Sequence, residues 1–388
     1  IHRHDFHRVE TFSRASDMRE SILLINSALD IQHYSGLIEY IDILFTTLIA
    51  GPLIMIYWLA TWHLMDIYIY PEDPLLSALV TAMMGLVFGL LLCVFQEYCC
   101  KRLTPEMGKV KFFIVTRFYN YVAGIINVAA CRGVWNIIEI YEEDAFSTAV
   151  TTIASTIALI CLKGLRNVEA APYSVAIDED EGYFDAPTFY RTETALYILD
   201  CVFSVTVVGS LVVFVWRGLW ALIDIFLYPD DPVKSCWTSL IVGYCMVVVT
   251  FSLQVPMRWI VGRLQGAPRL LLADLYHLLS FASTVNVWRG VWGLLDIYFF
   301  PASPLLSNWS CHIVSLTLLI LLNCSNSILV RGVYIDAEEP AGECVIFPCH
   351  YLRLFFHKER TKKRHKALDT TRKAEEASVP LQTPEEKV

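Results

Sequence analysis

An arginine, a tryptophan and a carboxylate recur at fixed spacing along the chain. The fullest copy is Arg289-Gly290-Val291-Trp292, followed by Asp296-Ile297-Tyr298. At about 100° per residue, positions i, i+3 and i+7 fall in one stripe of a helix. The other copies are Arg217 with Trp220 and Asp224; Arg132 with Trp135 and Glu139; and Trp62 with Asp66, where Leu59 stands in place of the arginine. The arginine of one motif helix can therefore face the carboxylate of the next.

This polar girdle of arginines, tryptophans and acids has three interpretations. The residues could form an interface belt, with tryptophans at headgroup level and charged tips reaching water. They could instead lock the helix bundle through arginine–carboxylate pairs, because an unpaired charge inside a membrane is expensive. In the third interpretation, they line the pathway of a solute.

The copies are spaced as a duplication. Asp224 follows Asp66 by 158 residues, and Asp296 follows Glu139 by 157 residues. A self-similarity at nearly constant offset is typical of a repeat protein. The chain is therefore predicted to consist of two halves, each with two motif copies.

The composition excludes an ordinary soluble domain. Hydrophobic residues make up 55% of the 388 residues and charged residues 18%, with a mean hydropathy of +0.49; soluble domains contain about 25% charged residues. The lipid bilayer is the expected environment. No nucleotide cradle, activated nucleophile or metal-ligand spacing is present, so neither an enzyme nor a cofactor or nucleic-acid partner is predicted.

Eight apolar stretches approach or exceed the roughly 20 residues that a helix needs to cross a bilayer. They lie near 38–66, 75–97, 112–140, 145–163, 194–225, 233–256, 270–298 and 305–330. The predicted fold is an all-α polytopic membrane protein with eight transmembrane helices, arranged as four parallel two-helix repeats in two duplicated halves.

Basic residues in the loops predict the orientation. Only Lys234 lies in the loops after odd-numbered spans, whereas the loops after spans two, four and six contain Lys101, Arg102, Lys109, Lys111, Lys163, Arg166, Arg191, Arg258, Arg263 and Arg269. Cytoplasmic loops carry the excess of Lys and Arg. Both termini are thus predicted to be cytoplasmic, and the motifs end outside, as does the possible glycosylation site Asn308.

The predicted domain organisation has five parts. A cytoplasmic N-terminal tail covers 1–36, the first four-span half 37–166, an acidic cytoplasmic linker 167–192 and the second half 193–332. Residues 333–388 form a tail that is first basic and then disordered. The basic part would attract anionic lipids by about 1 kcal/mol per cation. Possible acylation sites beside the membrane are Cys99, Cys100, Cys344 and Cys349.

Polar residues deeper in the spans give two expectations. Near the cytoplasmic helix starts lie Asp42, Asp200, Arg117, Asp274 and His277, and we expect these side chains to snorkel to water or to contact a helix N-terminus. A polar cavity reaching Asn127, Thr284 and Asn286 would favour transport, whereas a close-packed axis would favour a non-conducting protein.

The repeated motif resembles the fuseless family of invertebrate eight-span membrane proteins, over roughly residues 37–335. The resemblance is carried by Arg132 to Tyr141, Trp216 to Pro232 and Trp288 to Pro304. It implies a presynaptic plasma-membrane protein that supports neurotransmitter release by organising voltage-gated calcium channels at the active zone. The alternative is a transporter or channel using the bundle axis, since many transporters contain internal repeats.

Overall fold

The computed structural model describes residues 38–142, 144–175, 178, 183–184, 194–330, 333–335, 342–347, 349 and 351. Thr46–Cys349 form one compact unit that contains the second predicted half and the first predicted half from residue 46 onward. A second unit comprises Ile1–Phe45 and His350–Val388; within it, Phe45 stacks on Tyr351 with ring centroids 4.3 Å apart. The predicted N-terminal tail 1–36, most of the linker's acidic centre and the basic C-terminal tail lie outside the described residues.

Within these residues the fold is helical, without strands. Seven helices are long and apolar enough to cross a membrane, so the chain is a multi-pass membrane protein. An additional apolar helix, α4, has 17 residues. In chain order the helices are α1 Ile38–Tyr68, α2 Pro74–Val94, α3 Lys109–Tyr141, α4 Ala145–Cys161, α5 Leu196–Phe226, α6 Pro232–Val261, α7 Gly266–Tyr298 and α8 Pro304–Leu321.

The odd-numbered helices form an inner ring. They contact one another in the cyclic order α1, α3, α5, α7, and each carries one motif copy. The even-numbered helices pack outside them, with α2 on α3, α4 on α5, α6 on α7 and α8 on α1. The two helices of each predicted repeat, such as α1 and α2, are thus linked but not closely packed, which differs from the hairpin repeats that the sequence predicts.

Small residues allow the inner and outer helices to approach closely. A Cβ atom added to Gly133 on α3 would lie 2.1 Å from the backbone nitrogen of Ala82 on α2. One on Gly290 of α7 would lie 2.8 Å from the backbone nitrogen of Leu240 on α6. The two halves therefore repeat the same backbone contact, and small residues are a usual means of packing membrane helices.

Tight turns end the motif helices at what we call the motif end of the bundle. Tyr70 and Tyr228 both adopt positive φ, at 47° and 50°. The following helices begin with a carboxylate cap, because the side chains of Asp73 and Asp231 accept backbone N–H bonds. Asp144 caps α4 in the same way, and hydrogen bonds from Ser147 hold the pKa of its carboxyl below the usual range.

At the opposite end, two segments re-enter the bundle. After α4 and α8 the chain turns through Lys163 and Asn323, both with φ of 56°. Short 3-10 helices follow, at Leu165–Val168 and Ser325–Ile328. We call residues 165–171 and 325–330 the re-entrant segments. The expected linker therefore begins inside the protein, and the predicted last span ends at Leu321 instead of near residue 330.

Candidate functional site

Four tryptophans, one from each motif copy, close into a tetrad. Each ring meets its two neighbours edge to face, with centroids 5.7 or 5.8 Å apart and interplanar angles of 84° to 87°. Edge-to-face contacts are a favoured arrangement of aromatic rings. The tetrad consists of Trp62, Trp135, Trp220 and Trp292. It occupies the centre of the inner helix ring near the motif end.

A second tryptophan layer lies one helical turn deeper. Trp288 meets both Trp58 and Trp216 edge to face, at 5.9 and 5.5 Å. The second motif copy has Cys131 at the corresponding position, so this layer has three indoles.

The re-entrant segments end against this deeper layer. The indole N–H of Trp216 donates to the carbonyl of Val168 at 3.0 Å, and that of Trp58 to Ile328 at 3.0 Å. Trp288 donates to Ala171 at 2.7 Å. The carbonyls of Val168, Ala171 and Ile328 are thus satisfied by the tryptophans, as buried polar groups require.

Ion pairs surround the tetrad and join neighbouring motif helices. Arg132 pairs with Asp66 at 2.7 Å, and Arg289 pairs with Asp224 at 2.6 Å. Both arginines belong to the motif copy that follows the acid. Each guanidinium also donates to two hydroxyls on the outer helix beside it: those of Ser77 and Thr81 for Arg132, and those of Ser235 and Ser239 for Arg289.

The third arginine uses a different acid. Arg217 pairs at 2.7 Å with Glu142, which lies just beyond α3, and not with the motif acid Glu139. Glu139 is exposed and forms no ion pair among the residues that the structure describes. Glu142 also accepts hydroxyl bonds from Thr148 and Thr151 of α4.

A histidine completes the ring where the first copy lacks an arginine. Leu59 packs against Cys311 of α8, so both the guanidinium and a hydroxyl partner are replaced by less polar groups. One turn along α1, His63 places Nδ1 3.2 Å from Asp66 and Nε2 3.1 Å from Asp296. Sequence reasoning missed His63, although the leucine in the arginine position was a signal that another cation was needed.

The three polar residues that would mark a transport pathway form hydrogen bonds within the protein, where Thr284 is buried and Asn127 and Asn286 are half-buried. Asn127 and Asn286 donate to carbonyls of their own helices, at 2.7 and 2.9 Å, and Thr284 does the same at 2.9 Å. The backbone N–H of Val330, in a re-entrant segment, donates to Asn127. These polar groups are therefore used in packing.

Comparison with protein-family models matches the chain to the model described as Fuseless over residues 37–329. The match covers most of the chain. The protein belongs to the fuseless family. Comparison with curated proteins gave no match, and no solved structure matches the chain.

In this fuseless protein, charged groups at the end opposite the motifs hold the re-entrant segments. Arg117 of α3 donates to the carboxylate of Asp178, which also accepts the backbone N–H groups of Ser325 and Asn326 at 3.0 and 2.7 Å. His277 of α7 lies 2.6 Å from Glu169. The snorkelling expected of Arg117 and His277 is wrong, because both side chains are largely buried and each meets an acid from the chain between α4 and α5 inside the protein.

The proposed modification sites differ in access. Asn308 is buried within α8, and Cys344 and Cys349 are buried as well, so none of these side chains is accessible in the folded protein. Glycosylation of Asn308 stays a prediction. Cys99 and Cys100 are partly exposed in the short helix Gln96–Arg102. Burial raises the pKa of the Cys99 thiol. Acylation stays a prediction, favoured at Cys99 and Cys100 over the other pair.

Two pockets open beside the tetrad at the motif end. One has a volume of 470 Å³ and is lined by Trp135, Trp220 and Arg217 among others; the second has 380 Å³ and lies against Trp62 and Asp66. Glu139 lines both. Among the described residues, no group of His, Cys, Asp and Glu is arranged to hold a metal ion.

Proposed function

We propose that this fuseless protein is a non-conducting organiser of the presynaptic plasma membrane. It supports neurotransmitter release by localising voltage-gated calcium channels, or other active-zone proteins, at release sites. The observation that carries the non-conducting part is the closed tryptophan tetrad, with the re-entrant segments packed against the tryptophan layer beneath it. The synaptic role is the one that the resemblance implies.

A filled axis favours this function over transport for a physical reason. A pathway needs polar groups or water along its length, whereas the tetrad presents ring edges and faces to one another. The arginines around it are buried and already bound to acids and hydroxyls. In the proposed function, the ring of ion pairs fixes the helix bundle, and the exposed loops at either end meet partners.

The proposed topology has eight spans, with α4 as the eighth and both termini in the cytoplasm. The short helix α4 would cross the membrane, and the chain after it would continue directly into a re-entrant segment. Anionic lipids would bind the basic C-terminal tail. Epitope tags after Glu72 and after Asp230 test this arrangement: antibodies should label both tags on intact cells. Labelling that requires permeabilised membranes would contradict the topology.

A current measurement tests the calcium-channel role. The variant D224N/D296N removes one acid from each of two junctions of the ring. E72Q/D230N removes two loop acids and serves as the matched control. Presynaptic calcium current and surface protein should be measured together. Reduced current with normal surface protein for D224N/D296N supports a direct role in channel organisation, and retention inside the cell assigns these acids to folding.

Deleting the whole protein provides the decisive comparison for the organiser. Calcium channels should remain in the cell but disperse from release sites, and wild-type protein should restore their position. Purified protein in planar bilayers should carry no ionic current. Channel clusters that are unchanged by the deletion, or a current through the purified protein, would contradict the proposal.

A further inference from the structure

We infer that the α1–α7 junction is a proton-binding site, and that the proton bound by His63 keeps the motif end of the helix ring closed. This inference goes beyond the proposed function and does not depend on it. It arises from the ring itself: three junctions between motif helices contain arginine, and the fourth contains histidine.

The hydrogen bonds determine the protonation state in the closed ring. Nδ1 of His63 faces a carboxylate oxygen of Asp66 at 3.2 Å, and Nε2 faces one of Asp296 at 3.1 Å. An ionised carboxylate only accepts hydrogen bonds, and a neutral imidazole has a single N–H. Both bonds can form together only when the ring carries two protons and a positive charge. The closed junction is therefore the imidazolium form.

The protonation state of His63 determines the hydrogen bonding of this junction, as the charged and titratable groups around it show. On α3, Arg132 binds Asp66 and remains charged at all physiological pH values. On α7, Asp296 forms its hydrogen bond with His63 and with no other described residue. On α8, two titratable side chains pack against α1: Cys311, which contacts Leu59, and His312, which bonds to Thr61.

Loss of the proton should open this junction and no other. A neutral His63 can keep one carboxylate and must present a lone pair to the second. Asp66 retains Arg132, so Asp296 is the acid that loses its partner. The side chain of His63 is 28% exposed, and protons can reach it from the solvent at the motif end. The other three junctions contain arginine, which does not titrate in this range.

Cys311 offers a local measurement of opening. It lies beneath the junction, packed on Leu59 and Ala60, and is 6% exposed. Cys161 is exposed on α4 and serves as a reference thiol in the same molecule. The full chain in lipid nanodiscs is treated briefly with iodoacetamide between about pH 6 and about pH 10, a range that spans the titration of a paired histidine. Mass spectrometry then gives the ratio of Cys311 to Cys161 modification.

Two variants calibrate the ratio. H63R supplies the arginine of the other junctions, and H63Q supplies a neutral side chain. In the wild type, the ratio should rise about tenfold with pH, as expected for the loss of one charge-assisted hydrogen bond. H63R should remain low at every pH, and H63Q should remain high. A wild-type ratio that does not change with pH would overturn the inference, as would an equal rise in H63R. If H63R does not fold, H63Q supplies the comparison, and a wild-type ratio equal to that of H63Q at every pH would overturn the inference.

Discussion

Trp62 and Trp292 meet edge to face with ring centroids 5.7 Å apart, which joins the first motif helix to the last. Without this contact, the four indoles of the tetrad would form an open row from Trp62 to Trp292. With it, each tryptophan has two neighbours, and the row becomes a ring. The duplication seen in the sequence therefore produces a closed structure with the aromatic side chains at its centre.

Removing one indole should destabilise the whole ring. W220A deletes a large side chain from the tetrad and leaves a cavity, for which about 3–5 kcal/mol is typical. W220F should cost less, since one aromatic contact can persist. W237A is the matched control, because Trp237 lies on α6 with nearly half of its surface exposed. Thermal unfolding in detergent measures all three; equal effects of W220A and W237A would show that the tetrad contributes little.

The sequence predicted the elements and the main contacts of the site, but not its closure. Each predicted span corresponds to a helix, and the fixed spacing of arginine, tryptophan and acid predicted that arginines of one copy face acids of another. The structure has such pairs in Arg132–Asp66 and Arg289–Asp224, but each arginine meets the acid of the preceding copy and not of the next one. The pairing of Arg217 with Glu142 was not predictable from spacing, since it depends on how the chain leaves α3. Likewise, His63 has no counterpart in the other copies.

The re-entrant segments were missed for a different reason. Hydropathy detects long apolar stretches. The segments after Cys161 and Leu321 are too short, and contain too many polar residues, to be detected in this way. Their burial depends on partners far away in the chain, such as Trp216 for Val168. Asp178 illustrates the same limit: it reads as part of an acidic loop, yet it is buried against Arg117.

Neutralising Asp178 should release the second re-entrant segment. D178N weakens the bonds to Arg117 and to the backbone of Ser325 and Asn326, all in a buried setting. Breaking a buried ion pair typically costs about 3–5 kcal/mol. The exposed pair Arg258–Glu343 provides the control, since E343Q should cost less than about 1 kcal/mol. Limited proteolysis near residue 325 should accelerate in D178N, and an unchanged cleavage rate would argue against its anchoring role.

The ion pair with Asp224 should stabilise the buried charge of Arg289 more than it stabilises the half-exposed carboxylate of Asp224. Its side chain is buried, whereas that of Asp224 is half exposed and can be hydrated. D224N leaves a buried charge, and we expect a loss of about 2 kcal/mol, between the values for exposed and buried pairs. R289L should be milder when combined with S239C, which reproduces the Leu59 and Cys311 combination of the first copy. A double-mutant cycle on unfolding free energies measures this coupling, and simple additivity would show that the two sites are independent.

Gly133 is where α2 and α3 come closest, and it should not accept a methyl group. The added Cβ would lie 2.1 Å from the nitrogen of Ala82 and 2.4 Å from its Cα, both backbone atoms that cannot rotate away. G133A must therefore push the two helices apart, and we expect the free energy of unfolding to fall by about 3 kcal/mol or more.

Gly89, on the same α2 helix, is the control: its added Cβ would meet Val205 at 3.7 Å, an ordinary contact. G89A should be neutral or slightly stabilising, because alanine has less conformational freedom to lose than glycine. Since Arg132 precedes Gly133 and binds Ser77 and Thr81 across the same interface, separation of these helices should also weaken the pair with Asp66. Thermal unfolding of both variants is the measurement, and a G133A protein as stable as G89A would mean that the helices can separate without cost.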